Sequence, residues 1–161
     1  MCGIAGFMQR SGTAEPATLE DQLRRLAHRG PDDTGHFTEG PVALGHARLS
    51  IIDPAGGHQP LFSADGNLVV VANGEIYNFV ELRETLTARG HRFATGSDSE
   101  VILHAYAAYG DAFLEHLEGM FAFALFDRDR DRLILARDRL GMKPLFLAPW
   151  AGGLAFASEI K

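Results

Sequence analysis

Residues 120–126 form an unbroken apolar run, Met-Phe-Ala-Phe-Ala-Leu-Phe, followed by a charged segment at 127–131 and a second apolar run at 133–136. A strand that turns back so soon pairs antiparallel with its successor, because a parallel partner needs a crossover of about a dozen residues or more. The first run shows no polar alternation, so both of its faces are expected to be covered. Further strands are predicted at 3–9, 42–52, 67–72, 145–148 and 154–157, which makes seven. Helical spacing of Leu19, Leu23, Leu26 and Ala27 predicts a helix over 18–28, stopped by Gly30-Pro31. Helices are also predicted at 79–89, closed by Gly90, at 97–109, closed by Gly110, and at 112–117. The pattern predicts an α+β fold. Two stacked antiparallel sheets between helical layers satisfy it, and so does an α+β domain with a single sheet.

A chain of 161 residues suits one domain. Its net charge of -6 argues against a general nucleic-acid or anionic-membrane surface. The single cysteine excludes an internal disulfide and fits a cytoplasmic location. The apolar N-terminus is short and lacks the basic region of a signal peptide, and no apolar run approaches the ~20 residues of a membrane span. None of the seven histidines has the tight spacing of a zinc motif, so no metal is expected, and His28, His46 and His58 are read as structural.

Cys2 follows the initiator residue directly. If Met1 is removed, the thiol shares its residue with a free α-amine. An unperturbed α-amine titrates at about 7.7–8.0, which suits general-base work near neutrality. A terminal amine is a known activator of an adjacent nucleophile. One residue then supplies both nucleophile and base.

The surrounding motifs carry a resemblance. Met1-Cys2-Gly3-Ile4-Ala5-Gly6 and His28-Arg29-Gly30-Pro31-Asp32 resemble the start and early turn of class II glutamine amidotransferases, which are N-terminal-nucleophile (Ntn) hydrolases. Gly45-His46-Ala47-Arg48-Leu49-Ser50-Ile51-Ile52-Asp53 is similar to the asparagine-synthetase branch. So are Gly57-His58-Gln59-Pro60-Leu61, Asn73-Gly74-Glu75-Ile76-Tyr77-Asn78 and Gly96-Ser97-Asp98-Ser99-Glu100. Residues 136–145 and 157–161 complete the resemblance, which runs the length of the chain in order.

The resemblance implies a four-layer αββα Ntn-hydrolase sandwich with two antiparallel sheets flanked by helices. It implies that Cys2 attacks the glutamine side-chain amide, forming a glutamyl thioester and releasing ammonia. Asn73 and Gly74 would form the oxyanion hole, Arg48 would hold the α-carboxylate, and Asp98 with Glu75 would bind the α-ammonium. Ile51 and Ile52 would line the pocket. Local readings stand beside these roles. Asn73-Gly74 after an apolar run is a good hairpin turn. Ser97-Asp98-Ser99-Glu100 fits a helix capping box, and Arg137-Asp138-Arg139 reads as a buried or turn-associated ion network. In the implied scheme residues 1–161 are a shortened glutaminase domain that holds no cofactor. Its partners are glutamine and an absent C-terminal synthetase domain using ATP and magnesium to amidate aspartate or a related carboxylate, with a homodimer allowed. Two other readings stay open: the glutaminase domain of another class II amidotransferase, and a non-catalytic partner-binding module.

Overall fold

The ladders of a computed structural model, which describes residues 1–50 and 56–160, sort into two antiparallel sheets. In the first, β1 (Gly3–Gln9) lies at the centre. It pairs on one side with β3 (Val42–Arg48), which pairs with β2 (Asp33–Glu39). On its other side it pairs with β9 (Gly153–Ala157), which pairs with β8 (Phe146–Trp150). The second sheet holds β4 (Leu61–Phe62), β5 (Leu68–Ile76), β6 (Gly119–Asp127) and β7 (Arg132–Arg137) in chain order. The hairpin predicted from the 120–126 run is the β6–β7 pair, with Phe126 opposite Leu133.

The two-residue period of the strands divides the apolar side chains into layers. Ile4, Val42, Leu44, Val69, Val71, Ala122, Ala124, Phe126 and Phe156 meet between the sheets. The alternate residues of the first sheet, Phe7 and Ala43, pack against Leu19 and Leu23 of α1 (Pro16–Leu26). Val70, Ala72, Phe121, Phe123 and Leu125 pack outward against α2 (Phe79–Ala88) and α3 (Glu100–Tyr109), which runs into a 3₁₀ turn at Gly110–His116. The order helix, sheet, sheet, helix is the αββα sandwich, and the single-sheet alternative is excluded.

Three expectations change. Nine strands, not seven, are present among the described residues. β2 is polar in sequence and forms through its ladder with β3, from Asp33 opposite Arg48 to Glu39 opposite Val42. Asn73-Gly74 is not a turn: β5 continues through it, with Asn73 opposite Ala122 and Gly74 opposite Phe121. A side chain at position 74 would put its Cβ 2.0 Å from the Met120 carbonyl oxygen, so the glycine serves a close pass of two strands. Finally, α3 begins at Glu100, and its N-cap Ser99 makes no side-chain capping bond. The Glu100 carboxylate turns back to residues 94 and 95, so no capping box forms.

Candidate active site

Strand register brings polar residues from both sheets to one end of the layer between them. Ile4 points into that layer, and Cys2 lies two residues before it. Val42 and Leu44 on β3 point inward, and His46 and Arg48 continue the same face. On β5, Val69 and Val71 lead to Asn73. The apolar core therefore ends in Cys2, His46, Arg48 and Asn73.

Cys2, His46, Arg48 and Leu49 line one cleft together with Gly57, Gln59, Gly74, Glu75, Ser97 and Asp98. The Cys2 thiol accepts a hydrogen bond from the Leu49 N–H at 3.3 Å and donates to the Leu49 carbonyl at 3.5 Å. Asn73 is 1% exposed, and its Nδ2 has no hydrogen-bond partner among the described residues. A buried amide donor without a partner is rare enough to require an explanation. Arg48 is buried. Asp98 is also buried, and its Oδ2 accepts from the Ile76 N–H at 2.8 Å. Burial pushes the Asp98 carboxyl above its ordinary value. The negative charge of Glu75 adds to this, and the Ile76 and Ser99 amides oppose it. One cation, two carboxylates and a thiol in one cleft match an α-amino acid presenting its side chain to sulfur.

The motifs that flank these residues turn out to be clamps. Arg29 donates through Nε to the Cys2 carbonyl at 3.0 Å and through a second nitrogen to Glu159 at 3.0 Å, where His28 also binds at 2.9 Å. Asp32 accepts from the Ser50 N–H at 2.8 Å. His58 is hydrogen-bonded to Asp33. Gln59 uses both ends of its amide on Ala72, accepting from its N–H at 2.6 Å and donating to its carbonyl at 3.2 Å. That bond ties the 57–60 segment to β5 one residue before Asn73.

The Arg137-Asp138-Arg139 expectation is corrected. These charges do not pair with one another among the described residues. Asp138 accepts from the backbone N–H groups of Phe121, Leu140, Met142 and Lys143, and Arg137 donates to the carbonyls of Lys143 and Gly141. Ile51 and Ile52 lie outside the described residues. His46, read as structural, lines the cleft. Its ring is 1% exposed, and neither nitrogen makes a well-formed hydrogen bond among the described residues. Burial lowers it to about 4, offset in part by the nearby Ala72 carbonyl. Leu49 and Gln59 were not singled out as site residues by sequence reasoning. A leucine that acts through its backbone leaves no signal in sequence. No group of three or more metal-ligating side chains occurs among the described residues, and none of the helices described is long and apolar enough to cross a membrane.

The profile of a family described as a glutamine amidotransferase domain matches residues 1–161. The chain is similar to the glutamine-hydrolysing asparagine synthetase 3 of Bacillus subtilis (strain 168), with 42% identity covering 100% of this chain and 27% of that protein. It is 43% identical to the corresponding enzyme of Sandersonia aurantiaca, covering 100% of this chain and 31% of that protein. To asparagine synthetase 3 of Arabidopsis thaliana the identity is 44%, covering 100% and 28%. The chain thus spans about three-tenths of the length of these relatives. Among solved structures it is similar to the glutamine phosphoribosylpyrophosphate amidotransferase of Bacillus subtilis complexed with ADP and GMP. The TM-score is 0.81 and the identity 25%, covering 98% of this chain and 42% of that one.

Proposed function

This chain belongs to the class II glutamine amidotransferases, in the asparagine synthetase family, and from that premise we propose how its residues divide the hydrolysis of glutamine. Arg48 binds the substrate α-carboxylate, where a guanidinium fork gives two charge-assisted hydrogen bonds. Asp98, with Glu75 beside it, binds the α-ammonium. With Met1 removed, the Cys2 thiol passes its proton to its own α-amine, and the sulfur attacks the side-chain carbonyl carbon. The oxyanion is held by Asn73 Nδ2 and the Gly74 N–H. Collapse breaks the carbon–nitrogen bond as the Cys2 α-ammonium returns its proton to the leaving –NH2, which departs as ammonia. Water, deprotonated by the same amine, then cleaves the glutamyl thioester and releases glutamate.

The observation that carries this reading is the shared cleft: the thiol, Arg48, Gly74, Glu75 and Asp98 line it, beside an Asn73 amide with no partner of its own. In the whole protein the ammonia passes to a C-terminal synthetase domain. That domain uses ATP and magnesium to amidate aspartate or a related carboxylate, a reading supported by the relatives' names and by their extra length. The single cysteine suits a cytoplasmic setting for that reaction.

The test combines mass and activity. Active protein should begin at Cys2, and Cys2→Ala should fold but release no ammonia from glutamine. Full activity in protein that retains Met1, or in the Cys2→Ala variant, contradicts the scheme.

A further inference from the structure

The loop that delivers Asp98 to the cleft is held from behind by a carboxylate that is not among the residues lining that cleft. Glu100 is the first residue of α3 and is 3% exposed. A buried carboxylate there is favoured by the helix N-terminus, yet its oxygens are directed elsewhere. They accept from the Ala94 N–H at 2.6 Å, the Thr95 N–H at 2.8 Å and the Thr95 hydroxyl at 2.6 Å. The same Thr95 oxygen accepts from the Ser97 N–H at 3.1 Å, and the Ser97 hydroxyl accepts from the Ser99 N–H at 3.3 Å. Asp98 lies between those two serines, and Ser97, Asp98 and Ser99 all line the cleft. Helix α2 grips the loop from its other side: Arg83 donates to the Thr95 carbonyl at 2.5 Å and stacks over Phe93 at 4.3 Å.

We propose that Glu100 is a positioning residue for the ammonium end of the glutamine site, fixing the 94–97 loop so that the Asp98 carboxylate faces the substrate nitrogen. The inference rests on Asp98 being the ammonium ligand. Burial alone would raise the Glu100 carboxyl, but the Thr95 and Ala94 donors outweigh it and hold the group below its ordinary value, so it is ionised when glutamine binds. Breaking the clamp leaves the thiol, Asn73 and Arg48 in place and loosens only the partner of the α-ammonium. The loss therefore depends on whether the substrate carries that ammonium.

The experiment compares glutamine with its des-amino analogue, 4-carbamoylbutanoate, which keeps the carboxylate and the carboxamide. Both are assayed by ammonia release with the full-length, processed protein. Glu100→Gln turns an NH2 donor toward the two backbone N–H donors at nearly unchanged size. Its preference for glutamine over the analogue, as a ratio of kcat/KM values, should fall about tenfold, the scale of one hydrogen bond to a charged group. Thr95→Val, a gentler break in the same clamp, should move the ratio in the same direction by a smaller factor. A thermal melt confirms that each variant is folded. If kcat/KM for both substrates falls together, or if neither falls, Glu100 is structural only and the proposal is overturned. Asp98→Asn separates the two failures: an unchanged preference in that variant refutes the ammonium-ligand reading itself. A preference lost in Asp98→Asn but kept in Glu100→Gln and Thr95→Val refutes only the positioning role.

Discussion

Asn73 combines near-complete burial with an amide nitrogen that no described residue satisfies. Such a group costs stability unless an acceptor arrives, and in the proposed mechanism that acceptor is the oxyanion. Asn73→Ala is therefore expected to lower kcat about 10²–10³-fold with little change in KM, read by steady-state kinetics. Its thermal midpoint should stay level or rise, because no hydrogen bond from that nitrogen is lost. A kcat equal to the parent's removes Asn73 from the oxyanion role. At this scale the members of the cleft that the sequence singles out are those whose types are unusual in their places: a cysteine at position 2, an arginine closing an apolar strand. Gln59 was not legible in this way, since it acts through Ala72, a neighbour distant in sequence. Gln59 matters because Ala72 passes within reach, and nothing near position 59 announces that.

Elements were legible where their stabilisation is local or continuous. The β6–β7 hairpin, α1 and α2 follow from apolar period and turn chemistry. The polar β2 does not, because its backbone is satisfied by β3 and its own side chains add little. The Asn73-Gly74 pair shows the limit most clearly. Its turn signal is local, whereas its real constraint comes from Met120 and Phe121 on the neighbouring strand. Gly74→Ala should destabilise the protein by about 1–3 kcal/mol, because the backbone atoms in the way cannot swing aside as a side chain could. Denaturant unfolding checks this, and glutaminase activity should fall with it through the displaced Gly74 N–H. An unchanged unfolding midpoint would show that β5 and β6 can separate locally at no cost. The start of α3 was misread for a related reason: Glu100 has the right spacing for a cap, but a better set of donors lies in the preceding loop.

For the whole molecule, the sandwich buries a histidine that is neutral at ordinary pH. His46 is lowered from 6.5 to about 4 by burial, so between these values the unfolded chain takes up a proton that the folded chain refuses. Stability should therefore fall as pH drops through that window, by up to ~3 kcal/mol for this group. Asp33 and Asp138, held below 3.8 by His58 and by backbone amides respectively, add to acid sensitivity only at lower pH. Denaturant midpoints at about pH 7 and pH 4.5 measure the effect, and His46→Asn should flatten the difference. An equal difference in that variant would assign it to other groups. The layering also governs the reaction's geometry. Cys2 precedes the central strand of one sheet and Asn73 lies on a strand of the other, so under the proposed roles Ile4, Leu44, Val71 and Phe156 act as the spacer of a calliper whose jaws are those two side chains. In an interior packed as densely as a crystal, a methyl group added to that spacer changes the jaw opening as well as the stability. Catalysis is steeply sensitive to such a shift. On that reading, apolar residues with no chemical role of their own set the working tolerance of the site.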